Sequence, residues 1–413
     1  MTGSKVARAA LSAICGAASL AAPALAQAPV APLAAPALSL SREERAALQA
    51  LQTAASGLDR AAQDSALAAA RSVVRGNDGR YALAHFQLQI GQARGDAQLT
   101  GQAVDMMVDS GLARPEELSS LLTHQASRAY YASEFERADR LLARATELQP
   151  NNAAIIADHG QVKARRGDRV QAVALLQRAI GLQRASGVPA PESWHQRALA
   201  LAVEARLAPQ SIALARELVG AYPTPINWRD ALLVYRQSAT ADPALDLDIR
   251  RLMRAAQALS GERDYLEFAD ALGRANLPGE VKALVDEGVA RGMLDANEPI
   301  VRQLVTANNR RVTADRAGLA RLRTQALAAA TGTAARSAGD SHFGYGQYAE
   351  AAELYRTALQ KGGEDANLVN SRLGAALAIA GQRAEAEMAL RAVTGPRADL
   401  AAFWLTWLAR RPA

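Results

Sequence analysis

From Ser41 onward apolar residues recur at intervals of three and four, the spacing of one face of an α-helix, and Gly or Pro breaks the runs at short intervals. Clusters of β-branched residues and two-residue hairpin turns are lacking, so helix is expected throughout and no strand. Ser41 with Glu44 three positions on is a capping-box signature for the first helix. Helices over 42–56 and 59–75 form a first hairpin, broken at Gly57 and again at Gly76 and Gly79. Helices over 80–94 and 97–110, turning at Gly95-Asp96, form a second. Trp194–Arg206 and Pro209–Tyr222 read as another hairpin before Pro223 and Pro225 break the chain. Helices are then expected over Trp228–Gln237, Pro243–Leu259, Arg263–Ala275, Pro278–Arg291 and Asp315–Ala330, with Pro243 and Pro278 in first turns, where proline is tolerated. A final helix over Leu400–Arg410 carries Phe403, Trp404 and Trp407.

Two stretches of this pattern repeat one another. The first runs from Ser119 to Asn152 and places Ala126, Tyr130, Tyr131, Phe135, Ala138, Leu142, Ala145, Leu148 and Pro150. About 34 residues later the skeleton returns as Gly160, Gly167, Asp168, Ala172, Leu176, Ala179 and Leu182. Small residues fall where two helices must cross closely, and larger ones fill the space between. The skeleton appears again as Gly346, Tyr348, Ala351, Leu354, Tyr355 and Ala358, and then as Gly374, Gly381, Ala386 and Leu390. This period resembles the tetratricopeptide repeat (TPR) family. The resemblance implies an all-α fold, a right-handed α-solenoid of TPR and TPR-like helical hairpins. Each hairpin leaves an apolar face that only a neighbour can bury.

The expected organisation is a signal peptide over 1–26, an Ala/Pro-rich linker over 27–38, TPR and TPR-like hairpins over 39–222 with clear repeats at 119–152 and 153–186, a helical middle region of diverged repeats or spacer over 223–331, and a C-terminal part over 332–413. That last part holds a TPR pair at 332–365 and 367–400, with the aromatic terminal helix sealing the end of the stack. The leader is read from Lys5 and Arg8, an apolar run from Ala9, and the small-x-small site Ala24-Leu25-Ala26. It is too short to span a bilayer, which takes about 20 residues. A periplasmic or secreted location is therefore expected, and the Arg and Ala richness looks bacterial. Pro29, Pro32 and Pro36 make the following tract an extended tether. Removing the leader takes Lys5 and Arg8 from a net charge of +6, leaving +4, and removes Cys15, the one cysteine. Cysteine-based zinc sites, iron–sulfur clusters and a Cys nucleophile are then excluded.

Catalytic chemistry has no convincing signature. His85, His124, His159, His195 and His342 never stand three or four residues apart, so no helical histidine pair can grip a metal. No metal site and no cofactor are expected. Gly339-Asp340-Ser341-His342 has the look of an esterase motif but falls in the first helix of a repeat, with Gly339 in the small position. Carboxylates such as Asp246 and Asp248, and the arginines of Arg165-Arg166-Arg169, Arg250-Arg251-Arg254 and the 310–323 stretch, read as solvated helix faces, with an anionic partner as the alternative. Nucleic acid is disfavoured by export and by an aromatic content of 4%.

In the TPR family the first helix of each repeat lines a concave groove. Carried over by position, this implies a partner-binding groove of Ser127, Tyr130, Tyr131, Gln161 and Arg165, with Asp340 and Phe343 as the exposed equivalents in the C-terminal pair. The family's chaperone-binding clamp places Lys and Asn where this chain has Thr123 and Ser127, so a clamp for Hsp70 or Hsp90 C-termini is not expected. The resemblance implies a non-catalytic adaptor or scaffold for a protein or peptide partner, in an envelope or polysaccharide-export assembly. Two alternatives stay open: a cell-envelope enzyme with its site in the helices of 226–331, and a scaffold that self-associates into homo-oligomers.

Overall fold

The computed structural model describes residues 38–238 and 242–410. The expected leader and nearly all of the Ala/Pro tract lie outside the described residues. Among the described residues the chain is all α-helix apart from one 3-10 turn, and consecutive helices pair as hairpins. No helix among them is long and apolar enough to cross a membrane. The chain divides into two compact units, residues 1–205 and 206–413.

The first unit holds α1 (Arg42–Ala55), α2 (Arg60–Val73), α3 (Asn77–Arg94), α4 (Ala97–Ser110), α5 (Pro115–Tyr131), α6 (Phe135–Leu148), α7 (Ala153–Arg165), α8 (Arg169–Ala185) and α9 (Glu192–Glu204). The helices begin where the side chains dictate. Ser41 and Glu44 form both bonds of the capping box, and Asp59, Asp96 and Asn152 cap α2, α4 and α7 through their side-chain oxygens. Pairing follows the TPR logic of small against large. Ala126, Ala138, Ala145, Ala172 and Ala179 are buried. At Gly160 a Cβ would lie 3.2 Å from Leu176 Cγ and 3.3 Å from the Ala172 carbonyl oxygen, so α7 and α8 approach as closely as they do because no side chain intervenes.

Helices α5 and α7 each end in the same left-handed backbone turn. Gly167 takes it with φ +89°, and Ser133, 34 positions earlier, takes it with φ +62°. The left-handed region is nearly free for glycine and costs a residue with a Cβ about 1–2 kcal/mol.

The second unit holds α10 (Ala208–Ala221), α11 (Pro225–Ser238), α12 (Pro243–Ala255), α13 (Gly261–Arg274), α14 (Pro278–Ala290), α15 (Pro299–Ala328), α16 (Thr333–Gly344), α17 (Tyr348–Lys361), α18 (Ala366–Ile379), α19 (Arg383–Arg391), the 3-10 turn Gly395–Arg397 and α20 (Ala398–Ala409). Its C-terminal pair follows the repeat pattern. Tyr355 fills the space against Gly339, where a Cβ would sit 2.7 Å from the ring. The Gly-Asp-Ser-His run is therefore a helix-crossing point, not a strained nucleophile turn. One helix is longer than its pattern implied: α15 has 30 residues where 315–330 was expected. It fully buries only Val301, Asn308, Leu319 and Ala326, with Leu304, Val305, Val312 and Leu322 half-buried, leaving a thin periodic signal.

The terminal aromatics do not seal an open end. They return to the start of their own unit. Phe403 packs on Trp228 and Tyr235 of α11 at ring-centroid distances of 6.2 and 5.6 Å. Trp407 Nε1 donates to the Ala255 carbonyl at 3.2 Å, and the Tyr235 hydroxyl donates to the Pro396 carbonyl at 3.4 Å. Trp404 is buried at 1% exposure. The second unit thus closes on itself, with α20 against α10 and α12 against α18.

Replacing Ser133 with glycine relieves the left-handed turn at the cost of a more flexible unfolded chain, roughly 0.5–1 kcal/mol. Ser133→Gly is expected to raise the stability of the first unit by about 0.5–1 kcal/mol, read from its urea unfolding midpoint.

Candidate functional site

Closure of the second unit buries charge. Asp248 on α12 is 4% exposed and accepts from three arginines: Arg251 Nη1 at 3.1 Å, Arg372 Nε at 3.0 Å, and Arg397 Nη1 at 2.7 Å. Arg251 also forks onto Glu280, with Nη2 at 2.7 Å, and its guanidinium lies 4.6 Å from the centre of the Phe343 ring. Arg372 continues to Asp340 at 2.7 Å, and Asp340 accepts from Arg336 at 2.9 Å and from the Tyr355 hydroxyl at 2.8 Å. Burial opposes ionisation of Asp248, yet Arg372, Arg251 and Arg397 together hold its carboxyl below the usual range. Burial, with Asp340 beside it, pushes the Tyr355 hydroxyl far above its ordinary value.

Two expected groove residues belong to this network. Asp340 and Phe343, placed in the open groove of the C-terminal pair, are each 6% exposed. Phe343 is covered by Arg251 of α12, and Asp340 by Arg336, Tyr355 and Arg372. Asp248, Arg250 and Arg251, expected on solvated faces, are buried as well. What remains of the groove is a half-open cavity of about 510 Å³ between α12, α13, α16 and α18. Its charged lining is already committed: Asp246 to Arg236 and Arg250, Arg336 to Asp340 and Glu364, Arg372 to Asp248 and Asp340.

The first unit is different. Helices α5, α7 and α9 of this unit each present one partly exposed stripe at the spacing i, i+4, i+7, i+11. On α5 it is Ser120, His124, Ser127 and Tyr131; on α7, Ala154, Asp158, Gln161 and Arg165; on α9, Ser193, Arg197, Ala200 and Glu204. Ser127, Tyr131 and Arg165 are exposed, and Tyr130 and Gln161 are half-buried. Tyr131 is 62% exposed, unusually open for so large an aromatic. Arg165 of α7 reaches toward the preceding hairpin: its guanidinium lies 5.8 Å from the ring centre of Tyr130 on α5 and 5.4 Å from that of Phe135 on α6. Tyr130 in turn stands edge-on to Tyr131 and Phe135 at 5.8 and 5.6 Å. Four of the expected residues, Tyr130, Tyr131, Gln161 and Arg165, therefore share one surface with Ser127 beside them, whereas Asp340 and Phe343 lie in the other unit.

Sequence reasoning passed over Asp158. It occupies the α7 stripe between Ala154 and Gln161, half-buried, and makes no hydrogen bond or ion pair with any described residue. Burial alone pushes its carboxyl up to about 6. Asp139, on α6, shows what the same chemistry looks like when it is satisfied. It accepts from His159 Nε2 and Lys163 Nζ, both at 2.9 Å, and from Arg166. Burial opposes its ionisation too, but these donors hold its carboxyl below the usual range. The signal in the sequence is positional: Asp158 stands 34 residues after His124, in the register of the repeat.

No family model and no curated protein matches the chain. Among solved structures, a tetratricopeptide repeat protein from Parabacteroides merdae aligns at 11% identity and a TM-score of 0.30, covering 82% of this chain and 100% of that one. A structure of Naa15/Naa10 bound to HypK-THB aligns at 11% identity and 0.31, covering 87% of this chain and 65% of that one. A complex of the TPR2AB domain of yeast Sti1 with pHSP90 aligns at 15% identity and 0.20, covering 71% and 99%. These alignments run along most of the chain while superposing it only locally. The TPR-like character of this chain rests on its own hairpins and on the small residues at their crossings.

The two aspartates give opposite expectations. For Asp158 the folded-state pKa is raised, from 3.8 to about 6, so the folded protein holds the proton more tightly than the unfolded chain. The carboxylate therefore costs stability above about pH 6, and the cost vanishes as pH falls below the unfolded value. Asp158→Asn is expected to stabilise the protein at pH 7 by on the order of 1–3 kcal/mol and to leave it unchanged near pH 3.5, read from urea unfolding at both pH values. Asp248→Asn leaves three buried guanidinium groups short of a counter-charge and is expected to cost about 3–5 kcal/mol at pH 7.

Proposed function

We propose that the chain is a non-catalytic scaffold that holds a segment of a partner protein against the exposed stripes of α5 and α7. One observation carries this reading. Tyr131 and Arg165 stand open on adjacent stripes, and Arg165 is held over the Tyr130 and Phe135 rings without a carboxylate partner among the described residues. Tyrosine and arginine dominate binding energy at protein interfaces because each combines a large contact area with a directed polar group. A guanidinium fixed on ring faces gives up little conformational freedom when it binds. The closed second unit supplies a rigid body whose own groove charges are internally matched.

The setting we propose is the periplasm, supported by the Lys5/Arg8 region, the apolar run after it and the Ala24-Leu25-Ala26 site. An adaptor role in an envelope assembly fits that setting.

The test is selection of random twelve-residue segments, displayed as an mRNA-linked library, on the immobilised full chain. Enrichment of a consistent set of segments is expected. Tyr131→Ala with Arg165→Gln is expected to weaken the selected segments by about 10-fold to 100-fold, the loss of two interface anchors at 1.4 kcal/mol per decade. The stability of the double variant should stay within about 1 kcal/mol of the parent, since both residues are exposed. Absence of any enrichment over bare support would exclude the reading.

A further inference from the structure

Two charges on the solvent stripe of α7 have no counter-charge. Asp158 is half-buried and pairs with nothing described. Arg165 lies near the Tyr130 and Phe135 rings and pairs with no described carboxylate. Other half-buried charges are matched, among them Asp139 with Lys163, Arg229 with Asp264, and Arg254 with Glu287, while Asp230 on α11 is, like Asp158, a half-buried carboxylate with its pKa raised by burial and no ion pair among the described residues. The acids and bases nearest in sequence are already engaged: Lys163 and Arg166 with Asp139, and Asp168 with Arg166.

We propose that this surface selects an extended partner segment that places a lysine or arginine on Asp158 and an aspartate or glutamate on Arg165. This inference rests on the segment-binding reading above and adds the chemistry of the segment. Seven helical residues separate the two side chains, two turns along one face, or about 10 Å at 1.5 Å per residue. An extended chain rises about 3.3 Å per residue, so that distance corresponds to three residues. The partner motif is therefore a base and an acid three positions apart. The order of the two follows from the direction in which the segment runs.

The chemistry favours these occupants over others. A carboxylate already withdrawn from water has met its desolvation cost in the free protein, so an arriving cation gains the full attraction of a poorly screened site. A single carboxylate does not hold a divalent metal, and among the described residues no group of three His, Cys, Asp or Glu could hold one. Arg165 is exposed and lies near two ring faces without a carboxylate partner among the described residues, so its donors are free to grip an arriving carboxylate with two parallel bonds. Tyr131, on the adjoining stripe, offers apolar contact to the residues between the charges.

The composition of the selected segments tests this. With the parent chain, pairs of opposite charge at spacing three should be enriched at least fivefold over the input library. Asp158→Asn should erase the Lys/Arg preference while keeping the Asp/Glu preference, and Arg165→Gln should do the reverse. Asp158→Lys should invert the first preference, selecting an acid where the parent selects a base. Folding of each variant is checked by its circular dichroism melt. Segments enriched without a charge pair would overturn this inference and leave segment binding standing. No enrichment with the parent chain would overturn both.

Discussion

A carboxylate taken out of water needs a counter-charge, and this requirement organises both halves of the molecule. In the second unit it is met at the node where the unit closes. Asp248 collects guanidinium groups from its own helix, from α18 and from the 3-10 turn, partners as far as 149 residues away in the chain. Such a node cannot form until α12, α18 and the C-terminal segment have come together. It therefore fixes the register of closure as well as tolerating it. Hydrophobic burial of Phe403, Trp404 and Trp407 supplies the driving force, and the ionic network selects one arrangement among the many that would bury the same rings.

In the first unit the requirement is left unmet at one place. Asp139 and Asp158 are both partly withdrawn from water, on neighbouring helices. The first is surrounded by His159, Lys163 and Arg166; the second has none of them. A fold that stabilises one carboxylate so thoroughly and leaves the other bare on a solvent stripe carries a local cost at Asp158. Local costs of this kind concentrate where a protein meets something else. The same stripe ends in Arg165, near two ring faces and short of an acid, so the deficit is one of each sign on one helix face.

Much of the architecture was legible in the sequence because the repeat places small residues where helices cross. Gly160, Ala172 and Ala179, or Gly339 against Tyr355, reveal hairpin packing from spacing alone. Closure of the second unit was not legible, since it depends on contacts between residues more than a hundred positions apart that no local period encodes. That is why Asp248 and Arg251 look like ordinary charged helix positions, and why Asp340 and Phe343, assigned to the concave side by register, are buried under the network of Arg251, Arg336 and Arg372. The length of α15 was hidden because only four of its residues are buried. Asp158 was hidden for the opposite reason. A lone aspartate on a helix is unremarkable until its surroundings show that nothing answers it.

The most direct test of this account is the ionisation of Asp158 in the free protein, followed by the side-chain carboxyl carbon resonance of aspartate-labelled full chain and assigned with Asp158→Asn. The account predicts a midpoint near 6, moving downward when a segment carrying a base and an acid three residues apart is added. A midpoint at the ordinary aspartate value of about 3.9, unmoved by such a segment, would mean that Asp158 is already satisfied by solvent or by a neighbour, and would contradict the account.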